Sequence, residues 1–448
     1  AQSALSALLS CALAVPVARA LARRKFWGRT FLITLLGAPF ILPVIVAMLG
    51  LLAIFGRSGV LNDMLEMIGI AKISIYGLQG VVQGWQGVPA ERFRLSAQLG
   101  MGPRMVFRLI ELPLLMRILP GAFALIFVIC LTSFAVALTL GGGPRATTIE
   151  LAIYQAFRFD FNLGRAALLS LVQLFVAGGA AVLAFWLVPA VTFGGGMDRM
   201  QKRWDAQGNW ARALDGVCIA FAVSFLILPL WASLTSGLRG LLEVPLIVWT
   251  SAWTSLWVAL VSVLILLVVA LPMAGWIATS RRASVEAIGL LGLSVSPLMI
   301  GTGWFILIHP YASPTDWALV VTISVNAMMA LPFALRILVP SIRQTAQTYD
   351  RLSGALGISG IALWRCVLLP RSRPQIGFTA GLTAALSVGD LGVIALFGDP
   401  DRSTLPLQMY RLMGSYRTDA AAGAALILLA LAFGLFWIMD YWGRRNAI

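Results

Sequence analysis

Apolar residues in this chain gather in long unbroken runs separated by short polar clusters, so run length, more than any alternation of faces, defines the elements. A hydrocarbon layer about 30 Å thick is crossed by about 20 residues of helix rising about 1.5 Å each. Ten runs reach that length, at 2–18, 30–55, 118–140, 166–191, 214–234, 251–279, 284–309, 317–339, 374–397 and 419–441. Prolines inside them, such as Pro43, Pro229, Pro297 and Pro332, do not argue against helices, because neighbouring helices and side chains re-satisfy the freed backbone groups. The pattern predicts an all-α, polytopic membrane protein.

The polar clusters set its orientation. Lys and Arg collect at 19–29, 91–117, 199–212, 281–282, 336–373 and 444–445, which together hold 24 of the 33 basic residues. By the positive-inside rule these stretches face the cytoplasm, and the loops at 56–76, 141–165, 235–250, 310–316 and 398–418 face outward. Runs 30–55 and 118–140 then both cross from inside to outside, which requires a return crossing between them. The apolar material available, at 76–89, is too short, since about 12 helical residues reach only about 18 Å. The second half holds a full run at 318–339 in the corresponding place. A span is therefore expected to be missing from the first half near 77–89. With a further helix before residue 1, each half would have about six helices.

Composition narrows the class. With 448 residues, 60% hydrophobic, 11% charged and a mean hydropathy of +0.90, the chain is too apolar for a soluble globular protein. The net charge of +15 invites nucleic acid as a partner, but the basic residues punctuate apolar runs instead of lining one face. They fit membrane lipid, and no nucleic acid. Cys11, Cys130 and Cys218 lie in apolar runs and Cys366 in a basic loop, so no pair has the spacing of a disulfide framework or a metal site. The first apolar run ends in positive charge at Arg19, Arg23, Arg24 and Lys25, the reverse of a cleavable signal peptide. The first residue is Ala1, and the chain is expected to begin inside a longer one.

One segment occurs twice. Residues 94–100 read RLSAQLG, followed after nine residues by Ile110, Glu111, Leu112 and Pro113; residues 351–357 read RLSGALG, followed after nine by Val367, Leu368, Leu369 and Pro370. The offset is 257 residues throughout, which divides the chain into two related halves. The first half is read as 1–192, the second as 214–448, and the glycine-rich, charged stretch 193–213 as a cytoplasmic linker. Both copies fall on the cytoplasmic side, each just before a span. Leu95, Leu99, Val106, Leu109 and Ile110 mark an apolar face on a short helix, and Gly100, Gly102 and Pro103 mark a turn to a second. Such a helix at the bilayer surface suits a groove in a soluble partner.

The doubled segment resembles the cytoplasmic loop motif of the integral-membrane permeases of ATP-binding-cassette importers: Glu-Ala-Ala, three residues, Gly, nine residues, Ile, any residue, Leu, Pro. Gly100, Ile110, Leu112 and Pro113 match it, as do Gly357, Leu369 and Pro370, with Val367 for Ile. Both copies depart from it alike, with Arg94 and Arg351 at the Glu position and Ser96 and Ser353 at the second Ala, which points to an acidic partner surface. The stretches 141–154 (GGGPRATTIELAIY), 387–398 (SVGDLGVIALFG) and 405–417 (LPLQMYRLMGSYR) resemble the fused two-half permeases of thiamine importers. The resemblance implies a type I importer permease fold with two pseudo-symmetric halves. It further implies uptake of thiamine and its phosphates across a bacterial inner membrane, with a periplasmic binding protein and a homodimeric cytoplasmic ATPase as partners. ATP and magnesium would belong to that ATPase. Related permeases for ferric iron or polyamines are the nearest alternatives, and an ion-coupled secondary transporter is the alternative of a different class.

An ionisable residue inside a span is a pathway candidate. Asp390, between Gly389 and Gly392 in run 374–397, is the leading one for a cationic substrate, with a cap on a broken helix as its structural alternative. Its counterpart in the first half is Ser133. Asn326, Trp304 and the repeat partners Tyr154 and Tyr410 are further candidates, the aromatics for stacking on rings or attracting a cation. His309, the sole histidine, reads as interfacial. The sequence holds no Gly-rich phosphate loop with Lys-Ser/Thr and no metal-ligand cluster, so a transport subunit without an active site of its own is expected.

Overall fold

The computed structural model describes residues 2–24, 42–55, 112–132, 148–187, 209–279, 295–397 and 403–445, with isolated positions between them. All regular elements among these residues are helical. They are α1 (Gln2–Arg23), α2 (Val44–Phe55), α3 (Leu112–Leu131), α4 (Ile149–Arg158), α5 (Leu163–Leu187), α6 (Asn209–Gly240), α7 (Leu246–Thr279), α8 (Pro297–Ile308) and α9 (Ala318–Ala355). Then follow α10 (Gly360–Leu363), α11 (Leu369–Arg371), α12 (Arg373–Val388), α13 (Gly392–Phe397), α14 (Leu405–Gly414) and α15 (Thr418–Arg444). Seven stretches are long and apolar enough to cross a membrane, and they coincide with the runs expected from 2, 166, 214, 251, 317, 374 and 419 onward. The chain is an all-α, multi-pass membrane protein. The expected missing crossing near 77–89 lies outside the described residues.

Three expectations are corrected. The run 284–309 is not one continuous helix: α8 starts only at Pro297, where Ser296 Oγ accepts from Met299 N at 3.1 Å. Pro297 lacks an N–H and fits the first helical position, which makes it a start signal here. The run 374–397 breaks at 389–391 into α12 and α13. The stretches 141–165 and 398–418, read as outer loops, contain α4 and α14, amphipathic helices with one face in the core.

The chain forms two compact units, one of residues 1–39, 54–131 and 176–230, the other of 40–53, 132–175 and 231–448. In the first, α1 packs on α3, and Val17 and Leu21 pack with Ala222 of α6. Arg24, from the 19–29 basic cluster, pairs its Nε with Asp215 Oδ2 at 2.7 Å.

The second unit is organised around α7, α9, α12 and α15. Without water to drive apolar association inside a membrane, such helices depend on close packing over small residues. At the α12–α15 crossing a Cβ on Gly377 would lie 2.7 Å from Gly443 Cα, and one on Gly443 2.9 Å from Gly377 Cα. Where α6 enters this unit, a Cβ on Gly240 would overlap the Asp419 carbonyl oxygen, and one on Gly423 would lie 2.6 Å from Gly240 O. Small hydroxyls finish the packing: Ser255 Oγ accepts from Leu405 N at 2.8 Å, capping α14 from α7, and Ser251 Oγ meets Ser403 Oγ at 3.0 Å.

One buried acid stands in this unit. Glu150, in the first turn of α4, is fully buried and accepts from Gln173 Nε2 at 2.6 Å, while Glu150 Oε2 and Gln173 Oε1 have no hydrogen-bond partner. Burial pushes the Glu150 carboxyl up to about 7, against the lowering effect of its bonds with Gln173 and Ser296. When protonated, Glu150 gains a donor that its carboxylate form lacks.

Two outcomes follow from this packing. Gly377→Leu and Gly240→Val each press a side chain into the backbone of another helix, and each is expected to cost about 1–3 kcal/mol or more; a lower melting temperature in detergent checks this. For Glu150, a folded pKa above the ordinary 4.5 means stability is fully present below that value and is lost as pH rises through about 7. Glu150→Gln, which keeps the acceptor and adds the missing donor, is expected to abolish that decline, and melting curves at acid and alkaline pH will report it.

Candidate functional site

The second copy of the repeated segment is built from the end of α9 onward. Pro332 and Pro340 do not break α9, which runs 38 residues and, at about 1.5 Å each, outreaches a hydrocarbon layer. The expected separate docking helix is thus the free end of a transmembrane helix. Arg351 is exposed on it, and Ser353 is buried with its Oγ donating to Asp350 O at 3.0 Å. The expected turn is present: Gly357 has φ +66° and Gly360 φ +58°, left-handed values that a side chain rarely adopts. Helix α10 follows, then a π-helical turn over Trp364–Leu368 and α11. Pro370 accounts for the π turn, since it has no N–H to give Cys366 O and its ring crowds that carbonyl; Leu369 N instead bonds Trp364 O. Val367 and Pro370 are half-buried on this elbow. Arg371 lies over the Tyr349 ring at 5.2 Å, tying the elbow back to α9.

The outer surface of this segment is apolar where a soluble loop would be polar. Leu352 is 55%, Leu356 64% and Ile361 86% exposed, beside Arg351 and Arg365. In the first copy, Arg94, Ser96, Gly100 and Ile110 lie outside the described residues, and Pro113 is exposed in the first turn of α3.

At the other candidate region, α4 and α14 mirror each other. Each begins after a threonine, Thr148 or Thr404, and each ends in a turn through an aromatic residue at positive φ, Phe161 at 47° or Tyr416 at 58°. Tyr154 is buried, with its ring 5.2 Å from Phe134 and 6.2 Å from Phe159. Burial pushes its phenol up, and its repeat partner Tyr410 packs half-buried against the same core. Phe157 meets Phe305 at 4.5 Å, and Phe305 meets Phe397 at 5.7 Å and His309 at 5.5 Å. Sequence reasoning missed this cluster. Its signal was the phenylalanine content of α4, α8 and α13, which periodicity alone cannot tell from ordinary core.

Asp390 occupies the break between α12 and α13. Its Oδ1 accepts from Gly392 N at 3.2 Å, the cap geometry, while Oδ2 is buried without a hydrogen-bond partner. A Cβ on Gly392 would lie 3.2 Å from Pro297, so this break and the one that starts α8 sit against each other. Asn326 is engaged elsewhere: its Nδ2 donates to Ser387 Oγ at 2.8 Å, and Ser387 Oγ lies 3.4 Å from Ser262 Oγ, linking α9, α12 and α7. Trp304 is 41% exposed on α8, and Ser133 lies outside the described residues. Among the described residues, no three His, Cys, Asp or Glu converge as metal ligands.

No protein-family model matches the chain. It is 37% identical over 98% of its length to the thiamine transport system permease protein ThiP of Brucella abortus (strain 2308), covering 86% of that protein. It is 37% identical over 99% of its length to ThiP of Escherichia coli (strain K12), covering 88% of it, and 36% identical over its whole length to ThiP of Salmonella typhimurium, again covering 88%. Similarity at this level over nearly the whole length shows that the chain belongs to the family of thiamine transport system permease proteins.

Proposed function

We propose that the chain is the membrane-spanning subunit of an ATP-driven importer that moves thiamine and its phosphates from a periplasmic binding protein to the cytoplasm by alternating access. The observation that carries this reading is the near full-length similarity to permeases of thiamine transport. Residues 1–192 and 214–448 act as the two permease halves, joined by 193–213. ATP and magnesium belong to a homodimeric cytoplasmic partner, and the chain itself performs no hydrolysis.

The coupling surface comprises Arg94, Ser96, Gly100, Ile110 and Pro113 in one half and Arg351, Ser353, Gly357, Val367 and Pro370 in the other. Support comes from the second copy, where Leu352, Leu356 and Ile361 hold apolar side chains out beside basic ones. Exposed apolar side chains of this size are what a groove on a soluble subunit buries, and the flanking arginines favour an acidic rim. On the path side, Asp390 contributes its unpartnered oxygen and Tyr154, Tyr410 and Trp304 contribute aromatic faces; Ser133 is the repeat counterpart of Asp390, and Asn326 drops out because its amide is held by Ser387. A carboxylate and aromatic faces together suit a cationic ring system.

Two measurements test the reading. Binding-protein-dependent uptake into vesicles is expected for thiamine and not for ferric iron or spermidine; the reverse selectivity would sink the substrate assignment. Leu356→Glu with Ile361→Glu replaces exposed side chains only, so folding is expected to persist. Copurification of the ATPase and thiamine uptake are both expected to fall by about tenfold or more, the scale of interface hot spots. Unchanged copurification removes this surface from the coupling role.

A further inference from the structure

The elbow that carries the second coupling segment sets two side chains, Trp364 and Leu368, against a core built from α7 and α9. Trp364 opens the π turn and packs, half-buried, on a core that includes Ala270, Ala274, Ile277 and Leu368. Its ring lies directly over Gly275 of α7: a Cβ at Gly275 would overlap ring carbon Cζ2 and stand 2.7 Å from Cη2. A methyl at 275 therefore forces the indole to shift. Beside the ring a cavity of about 520 Å³, lined by Leu271, Pro272, Gly275, Trp276, Trp364 and Leu369, leaves it room to tilt.

The elbow is joined to α9 by Leu368 and by the Arg371–Tyr349 stack, and to α12 through Ser372, whose N–H donates to Leu368 O at 3.0 Å. Toward α7 the contact is a flat aromatic ring against glycine backbone. The first copy of the segment places Phe107 at the same offset, again an aromatic residue.

We propose that Trp364, seated on Gly275, is the joint through which displacement of the coupling segment reaches α7, with Trp364 acting as a positioning residue. The inference rests on the coupling role proposed above for that segment. It assigns transmission to one socket and leaves docking to the exposed Leu352, Leu356 and Ile361. Glycine is required at 275 because it lets the ring bear on backbone with no compliant side chain between them.

The test uses the full chain in proteoliposomes with its ATPase subunit, the binding protein and radiolabelled thiamine. Trp364→Ala and Gly275→Ala are each expected to lower uptake about tenfold, the scale of coupling losses along such a contact, while the ATPase still copurifies and its basal hydrolysis is unchanged. Trp364→Phe, which keeps a ring on the glycine, is expected to retain most of the uptake. Gly275→Ala combined with Trp364→Phe is expected to recover uptake, because the smaller ring clears the added methyl and still bears on α7. If Trp364→Ala fails to fold, Gly275→Ala and its rescue decide the matter. Wild-type uptake in Gly275→Ala, or a double variant no better than Gly275→Ala alone, overturns the joint. Release of the ATPase by Trp364→Ala also overturns it, since the side chain would then belong to docking. Failure of the unaltered chain to bind an ATPase sinks the coupling role instead, a separate result.

Discussion

Close approach of helices with no water to drive it is the constraint on which the second unit depends. Hydrocarbon solvates leucine as well as another leucine does, so association has to come from contact that lipid cannot match. The chain answers with glycine at the points of crossing: Gly377 against Gly443, Gly240 against Gly423, and Gly275 beneath Trp364. In the first two pairs backbone meets backbone. At Gly275 the partner is a side chain from a segment outside the apolar runs. Backbone packing therefore makes the bundle, and Trp364 and Leu368 tie the elbow to it.

The elbow owes its shape to the residues of the repeated motif. Gly357 takes a left-handed conformation that ends α9, and Pro370, with no N–H to donate, widens the helix into a π turn. Between these two points the chain reverses and lays Trp364 and Leu368 on the core, while Leu352, Leu356 and Ile361 stay exposed. The spacing of Gly and Pro, nine residues and then three more, is thus a geometric specification. It fixes how far the exposed face lies from the buried one.

Near Asp390 the same logic runs with polar groups. A helix broken inside a span leaves backbone donors unpaired, and Asp390 Oδ1 takes up the one on Gly392. Ser296 does the same for Met299 at the start of α8. The two breaks abut, so irregular backbone is gathered in one place within the protein, where it is shielded from lipid. What is left over is the second oxygen of Asp390, buried without a hydrogen-bond partner.

Run length and the placement of Lys and Arg were enough to establish a helical membrane protein, and the twice-repeated segment pointed to two related halves. These properties depend on local chemistry: the cost of burying charge and the reach of a helix act on each segment alone. The turn at Gly357 was legible for the same reason, because a left-handed position is a local demand that glycine meets. Tertiary structure decided what depends on neighbours distant in sequence. Asn326 looked available from its position in a span, yet its amide is used by Ser387, 61 residues away. The run 284–309 looked continuous because hydropathy cannot report a cap, and the helices α4 and α14 looked like loops because ten residues are too few to register as spans. No pattern in the sequence pairs Trp364 with Gly275. That contact exists because two helices cross there, and a crossing is a property of the packed bundle.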